Sequence, residues 1–199
     1  DKTARFVKTA SENGMRHYVF SSTCAVYGMP EYTPIDESHE IHPLSPYGES
    51  KTKAENAIKQ LHKKHDFKFC FLRYFNACGA DEEGDIFEWH NPETHLIPNV
   101  IYKALGINEN LSVFGNDYPT NDGTCIRDYI HVNDLCEAHL LSLKQLKETD
   151  TEHSLYNLGS EKGFSVMEII KTTEEVLGKT IEYTIEARRE GDPATLLAN

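Results

Sequence analysis

Short runs dense in Val, Phe, Tyr and Ile alternate along the chain with longer stretches whose apolar residues recur every three or four positions. That alternation predicts α/β order around a mostly parallel sheet. The short runs place strands at His17–Ser21, Lys68–Tyr74, Leu111–Phe114, Tyr129–His131, Ser154–Leu158 and Ile181–Ile185. The longer periodicity places helices at Thr3–Asn13, Tyr47–Lys64, Leu96–Leu105, Val132–Lys147 and Val166–Leu177. Ser45-Pro46 marks one helix start, and Ser165 with Glu168 forms a capping box at another. Gly, Pro and Asp gather at Ala80–Glu93 and Asn116–Gly123, predicting two long loops of the kind that carry binding residues.

With 199 residues, 39% of them hydrophobic and 26% charged, the chain can bury a substantial core. Its net charge of −12, unbroken by any Lys/Arg run, excludes nucleic acid as an expected partner. A phosphate-bearing ligand would need a few local arginines acting against the average field. No apolar run approaches membrane-spanning length and no signal-peptide pattern opens the chain, so a soluble cytoplasmic protein is expected. A helix that begins at once after Asp1, and an end at Ala194–Asn199 without a Gly or Pro stop, read as an internal fragment of a longer protein. The five cysteines, Cys24, Cys70, Cys78, Cys125 and Cys136, form no C-x-x-C pair and are expected to be reduced. His90, Glu93 and His95 are metal-ligand types, but they lack helical His-x-x-x-His spacing and Pro92 interrupts them, so no metal is expected.

The glycine fingerprint for a dinucleotide pyrophosphate is missing; Gly159–Gly163 has the wrong spacing and reads as an ordinary turn. Chemistry concentrates elsewhere. Tyr47 and Lys51, four apart, leave one face of a predicted helix. An ammonium beside a phenol favours the phenolate and turns a weak base, of pKa about 10, into a usable one. Ser21, Ser22 and Thr23 end a strand at its carboxyl side, where open α/β sheets bind ligands, although a lone Thr23 is equally a capping hydroxyl. Tyr27 has no lysine four residues on and is expected to pack.

A strand ending Phe-Ser-Ser-Thr, then Val26-Tyr27-Gly28, then Ser45-Pro46-Tyr47-Gly48-Glu49-Ser50-Lys51, resembles the extended short-chain dehydrogenase/reductase family. Within it, Pro92–Pro98, Phe114–Thr120, Asp122–Val132 and Arg188-Arg189-Glu190-Gly191-Asp192 resemble the UDP-glucose 4-epimerase group, over essentially the whole chain. The resemblance implies a Rossmann-like, doubly wound, incomplete sheet in residues 1–76 and a smaller C-terminal α/β substrate-binding domain in 77–199, some segments returning to the first. It implies NAD as cofactor, with Thr23, Tyr47 and Lys51 catalytic and Ser21, Ser22, Tyr47, Lys51 and Phe75 beside the cofactor. For UDP-glucose or UDP-galactose it implies contacts from Thr23, Asn76, His95, Leu96, Ser112 and Phe114, a diphosphate clamp from Arg127 and Arg189, and Asp192 on the ribose. Relatives that dehydrate the sugar carry Asp-Glu where this chain has Cys24-Ala25, which favours epimerisation. Leu196 matches the position that sets room for an N-acetyl group; its intermediate size leaves a UDP-N-acetylglucosamine epimerase open. A homodimer through the Tyr47 helix is implied for the whole protein. An inactive isolated fragment, unable to hold NAD, is the competing reading.

Overall fold

In a computed structural model, which describes residues 2–199, the chain builds a three-stranded parallel sheet, a four-stranded mixed sheet and a two-stranded parallel pair. β1 (His17–Thr23), β2 (Lys68–Tyr74) and β6 (His153–Leu158) form the parallel sheet in the order β1-β2-β6. The middle strand, KFCFLRY, is buried along almost its full length, as a strand covered on both faces requires. Its side chains alternate. Phe69 and Phe71 pack with Val7 of α1 (Lys2–Glu12) and with Ala54 and Ile58 of α2 (Pro46–His62). Cys70 and Leu72 face the opposite side and pack on Leu146 of α4 (Val132–Glu148). Helices on both faces make the sheet doubly wound, and β6 and α4 bring the later chain back onto the first sheet.

Beyond β2, β3 (Asn76–Cys78) pairs in parallel with β5 (Ile126–His131). β5 also pairs antiparallel with β7 (Gly163–Ser165) and parallel with β9 (Thr195–Leu196). β4 (Ser112–Phe114) pairs with β8 (Thr184–Glu186), and α3 (Leu96–Ala104) and α5 (Val166–Leu177) close a second core around Val100, Val113, Ile170 and Ile181. β5 begins earlier than its apolar run suggests because polar Arg127 and Asp128 sit within it. Asp128 is fully buried; its carboxylate accepts from Ser160 N and Ser160 Oγ on one oxygen and from Ala198 N on the other, tying the Gly159–Gly163 turn and the segment after β9 to β5. β8 begins later than expected because Ile181 N–H donates to the Glu174 carboxylate, not to a strand partner. The Ser165/Glu168 capping box is present, and Ser45 caps α2 by accepting from Gly48 N–H.

One polar cluster crosses the apolar interior. Arg73 of β2 and Glu55 of α2, each 1% exposed, pair through two hydrogen bonds of 3.0 and 2.6 Å. Ser22 of β1 donates to the same carboxylate at 2.6 Å. Arg73 also donates to the Tyr27 hydroxyl, which donates to Asn157 of β6. Removing one partner strands a buried charge, so Glu55→Ala should cost about 3–5 kcal/mol in urea unfolding. The double replacement Glu55→Met with Arg73→Met should cost markedly less than Glu55→Ala. A single-variant loss under about 1 kcal/mol would contradict the buried-pair account.

Candidate active site

The carboxyl ends of β1 and β2 open into a cavity of about 1080 Å³, bounded on its far side by the loop ahead of α3 and by β4 and β5. Sites for small molecules and cofactors run to about 1,000 Å³, so there is room for a ligand of nucleotide-sugar size. Thr23 and Tyr47 both line it. Tyr47, in the first turn of α2, is 55% exposed, so its phenol is free to meet a ligand. Lys51, one turn on, places Nζ 5.7 Å from the centre of the Tyr47 ring and 5.1 Å from that of Phe20. Its ammonium donates to the Ser21 carbonyl at 2.9 Å, which locks the helix to the strand end. Thr23 ends β1 in extended conformation, and its Oγ1 accepts from Ala25 N–H at 3.2 Å, leaving the hydroxyl proton available.

Ser22, expected beside the cofactor, lines the cavity, while the residue is only 2% exposed and its hydroxyl donates to Glu55. Ser21 is exposed on the α4 side; Tyr74 OH lies 2.6 Å from its Oγ and 2.8 Å from His139 Nε2. Phe75 is 7% exposed, packed with Cys24 and Val26 while still forming part of the cavity wall. Cys24 lies against this cluster, and burial pushes its thiol up to about 12 despite the nearby Arg127 charge.

The opposite wall collects the remaining expected residues. Asn76 donates from Nδ2 to Asp128 O at 2.7 Å and is fixed at the start of β3. His95 is the N-cap of α3 and Leu96 its first residue. Ser112 and Phe114 come from β4. The arginines differ in their engagements. Arg127 contacts the Asp192 carboxylate and its own strand carbonyl, and Arg188 pairs with Asp117 at 2.6 Å. Arg189 instead lies over the Phe114 ring at 4.1 Å, with no hydrogen bond or ion pair to a described residue. Its planar fork of donors therefore faces the cavity unsatisfied, the arrangement that receives a phosphate or carboxylate. Leu196 is outside the cavity wall; it pairs with Arg127 across β9 and β5 and packs on the Cys24 cluster.

Sequence reading missed Glu55, Asn157 and Glu88. Glu55 was visible in principle: it follows Lys51 by four and Tyr47 by eight, on the same helix stripe. Arg73 stood in an otherwise apolar strand, itself a signal for a buried partner.

A doubly wound sheet that delivers Thr23 and Tyr47 to one cavity, with Lys51 one turn behind the tyrosine, is the arrangement expected of the NAD dependent epimerase/dehydratase class. The chain belongs to that family, whose sequence model matches residues 1–159. More particularly, it is 47% identical to the UDP-glucose 4-epimerase of Rhizobium meliloti and 46% to that of Halalkalibacterium halodurans, over 99% of this chain in both cases. The crystal structure of UDP-glucose 4-epimerase from Brucella ovis in complex with NAD superposes with a TM-score of 0.95 at 41% identity. That from Bifidobacterium longum in complex with NAD+ and UDP superposes with a TM-score of 0.90 at 37%. The chain covers 99% of itself in both superpositions but spans only about 60% of these relatives' length.

The desolvated position of Lys51 has a measurable signature. Burial lowers its pKa, so between the folded value and the unfolded one, about 10.4, the unfolded chain holds more protons and stability rises with pH. At pH 7 the folded protein carries the charged ammonium at a cost. Lys51→Met removes this cost together with the bond to Ser21 O, so its Tm relative to the unaltered protein should be most favourable near pH 7 and decline as the pH approaches about 10. A relative Tm that rises with pH would show that the ammonium is not desolvated.

Proposed function

We propose that the protein carrying this chain is an NAD-dependent epimerase that interconverts UDP-glucose and UDP-galactose at C4 of the sugar. The observation that carries the reading is the exposed Tyr47 phenol beside the half-buried Lys51 ammonium, on the same cavity as Thr23. The activity named for the relatives supports it. In this reading Tyr47 takes the proton of the sugar 4-hydroxyl and later returns it, Lys51 favours the phenolate, and Thr23 donates to the same sugar oxygen.

The residues present suit the cofactor. Lys51 uses one donor on Ser21 O and keeps two for a ribose hydroxyl, and Phe75 offers an apolar wall for a nicotinamide. When bound, NAD supplies a hydride acceptor and donor for C4. Arg189, with its free fork, and Arg127, once released from Asp192, hold the diphosphate, while Asp192 accepts from the ribose. Gripping UDP firmly lets the 4-keto sugar turn and present its other face. Cys24 and Ala25 argue against dehydration or decarboxylation, since an alanine has no proton to move and a thiol at about 12 does not ionise at neutral pH. The proposal includes residues 1–76 as the cofactor-side domain and 77–199 as mainly the substrate side. From the resemblance it also takes a role in galactose metabolism, a homodimer through the α2 pair and a cytoplasmic location. Among the described residues no helix is long and apolar enough to cross a membrane.

Tyr47→Phe in the whole protein tests the assignment. Turnover should fall by about 10²-fold or more while UDP binding, measured by calorimetry, stays close to that of the unaltered protein. Undiminished turnover would remove Tyr47 from the mechanism.

A further inference from the structure

Spacing argued against a metal in the loop ahead of α3, because no helix presents the histidines together. The folded loop brings them together without one. Glu88, His90, Glu93 and His95 offer four ligand atoms that all lie within 4.8 Å of one another, at the rim of the cavity. The imidazoles and carboxylates interleave. His90 Nδ1 is 3.4 Å from Glu88 Oε1 and 3.3 Å from Glu93 Oε2. His95 Nδ1 is 3.4 Å from Glu93 Oε1 and in closer contact with Glu88 Oε1.

The separations of His90 Nδ1 from Glu88 Oε1 and from Glu93 Oε2 match the edge of a tetrahedron, about 3.3 Å, around an ion whose bonds to nitrogen and oxygen are about 2.0–2.1 Å, while the closer His95–Glu88 contact has to open to admit the ion. Glu93 is held ready. Its side chain is 5% exposed, and its Oε1 accepts the N–H groups of Thr94 and His95 at 2.7 and 2.8 Å, which leaves Oε2 toward the cluster. Two carboxylates drawn together in a chain of net charge −12 call for a cation between them. Two imidazole nitrogens with two carboxylate oxygens suit Zn²⁺ or a similar transition ion; Ca²⁺ and Mg²⁺ prefer all-oxygen sets.

We propose that Glu88, His90, Glu93 and His95 form a four-coordinate site for a divalent transition ion of the Zn²⁺ type. The ion cross-links the loop to the N-cap of α3 and stiffens the rim of the cavity. The four residues line the same cavity and His95 is also expected at the substrate, so metal uptake is read apart from turnover, and no step of the epimerase chemistry passes through the ion.

The test uses the untagged whole protein, stripped with chelator, titrated with Zn²⁺ by calorimetry and with Co²⁺ by visible absorption. One ion per chain and an intense Co²⁺ band of four-coordinate type are expected. His90→Ala and Glu88→Ala should each weaken Zn²⁺ binding by more than about tenfold, with Glu83→Ala unchanged. These loop positions lie outside the apolar cores, and unchanged circular dichroism will establish that the variants remain folded. Absent uptake, a pale six-coordinate Co²⁺ spectrum, or equal affinity in His90→Ala and the unaltered protein would each overturn the site.

Discussion

A guanidinium and a carboxylate can share an apolar interior only if their polar atoms find partners there, and this requirement organises the fold around the site. Arg73 and Glu55 meet it with Ser22, Tyr27 and Asn157. Those five groups come from β1, the segment after it, α2, β2 and β6. Satisfying them together fixes how far α2 slides along the sheet and how it is rotated about its axis. Lys51 lies one turn before Glu55 on the same stripe and Tyr47 one turn before that, so the buried pair sets where the ammonium and the phenol emerge. The Lys51 bond to Ser21 O is the last link of this chain, made where the interior gives way to the cavity.

Charge on the cavity side follows a similar economy of partners. In a chain of net charge −12, three arginines at or behind the cavity are paired: Arg73 with Glu55, Arg127 with Asp192, Arg188 with Asp117. Arg189 is held in place by the Phe114 ring, which orients the guanidinium without neutralising it. One unneutralised fork at a cavity wall draws an anion to a defined point, despite the repulsive average field. The rigid Tyr/Lys wall and this anion point on the wall opposite suit a ligand tethered at one end and handled chemically at the other.

Much of the fold was legible because the sheet is covered on both faces. The apolar run of β2 and the periodic stripes of α2, α4 and α5 follow directly from that burial, and the Ser165/Glu168 cap was explicit in the residues. β3, β7 and β9 were not legible, since two or three residues cannot show a period. The chemical set was readable where its spacing is helical, as for Tyr47 and Lys51. Partnerships across the fold were hidden: Ser22 facing Glu55, Asp128 gathering the Gly159–Gly163 turn, and the histidines of a loop converging on Glu88. Leu196 illustrates the converse, a position assigned to substrate room whose side chain packs against Cys24 and its neighbours.

The central claim is that the Tyr47 side of the cavity exchanges a proton on O4 while the hydrogen on C4 leaves and returns within the protein. It is tested most directly by incubating the whole protein with NAD and UDP-galactose in D₂O and following the sugar signals by proton NMR. The account predicts UDP-glucose that keeps protium at C4. A 6-deoxy-4-keto product, or UDP-glucose carrying solvent deuterium at C4, would contradict it.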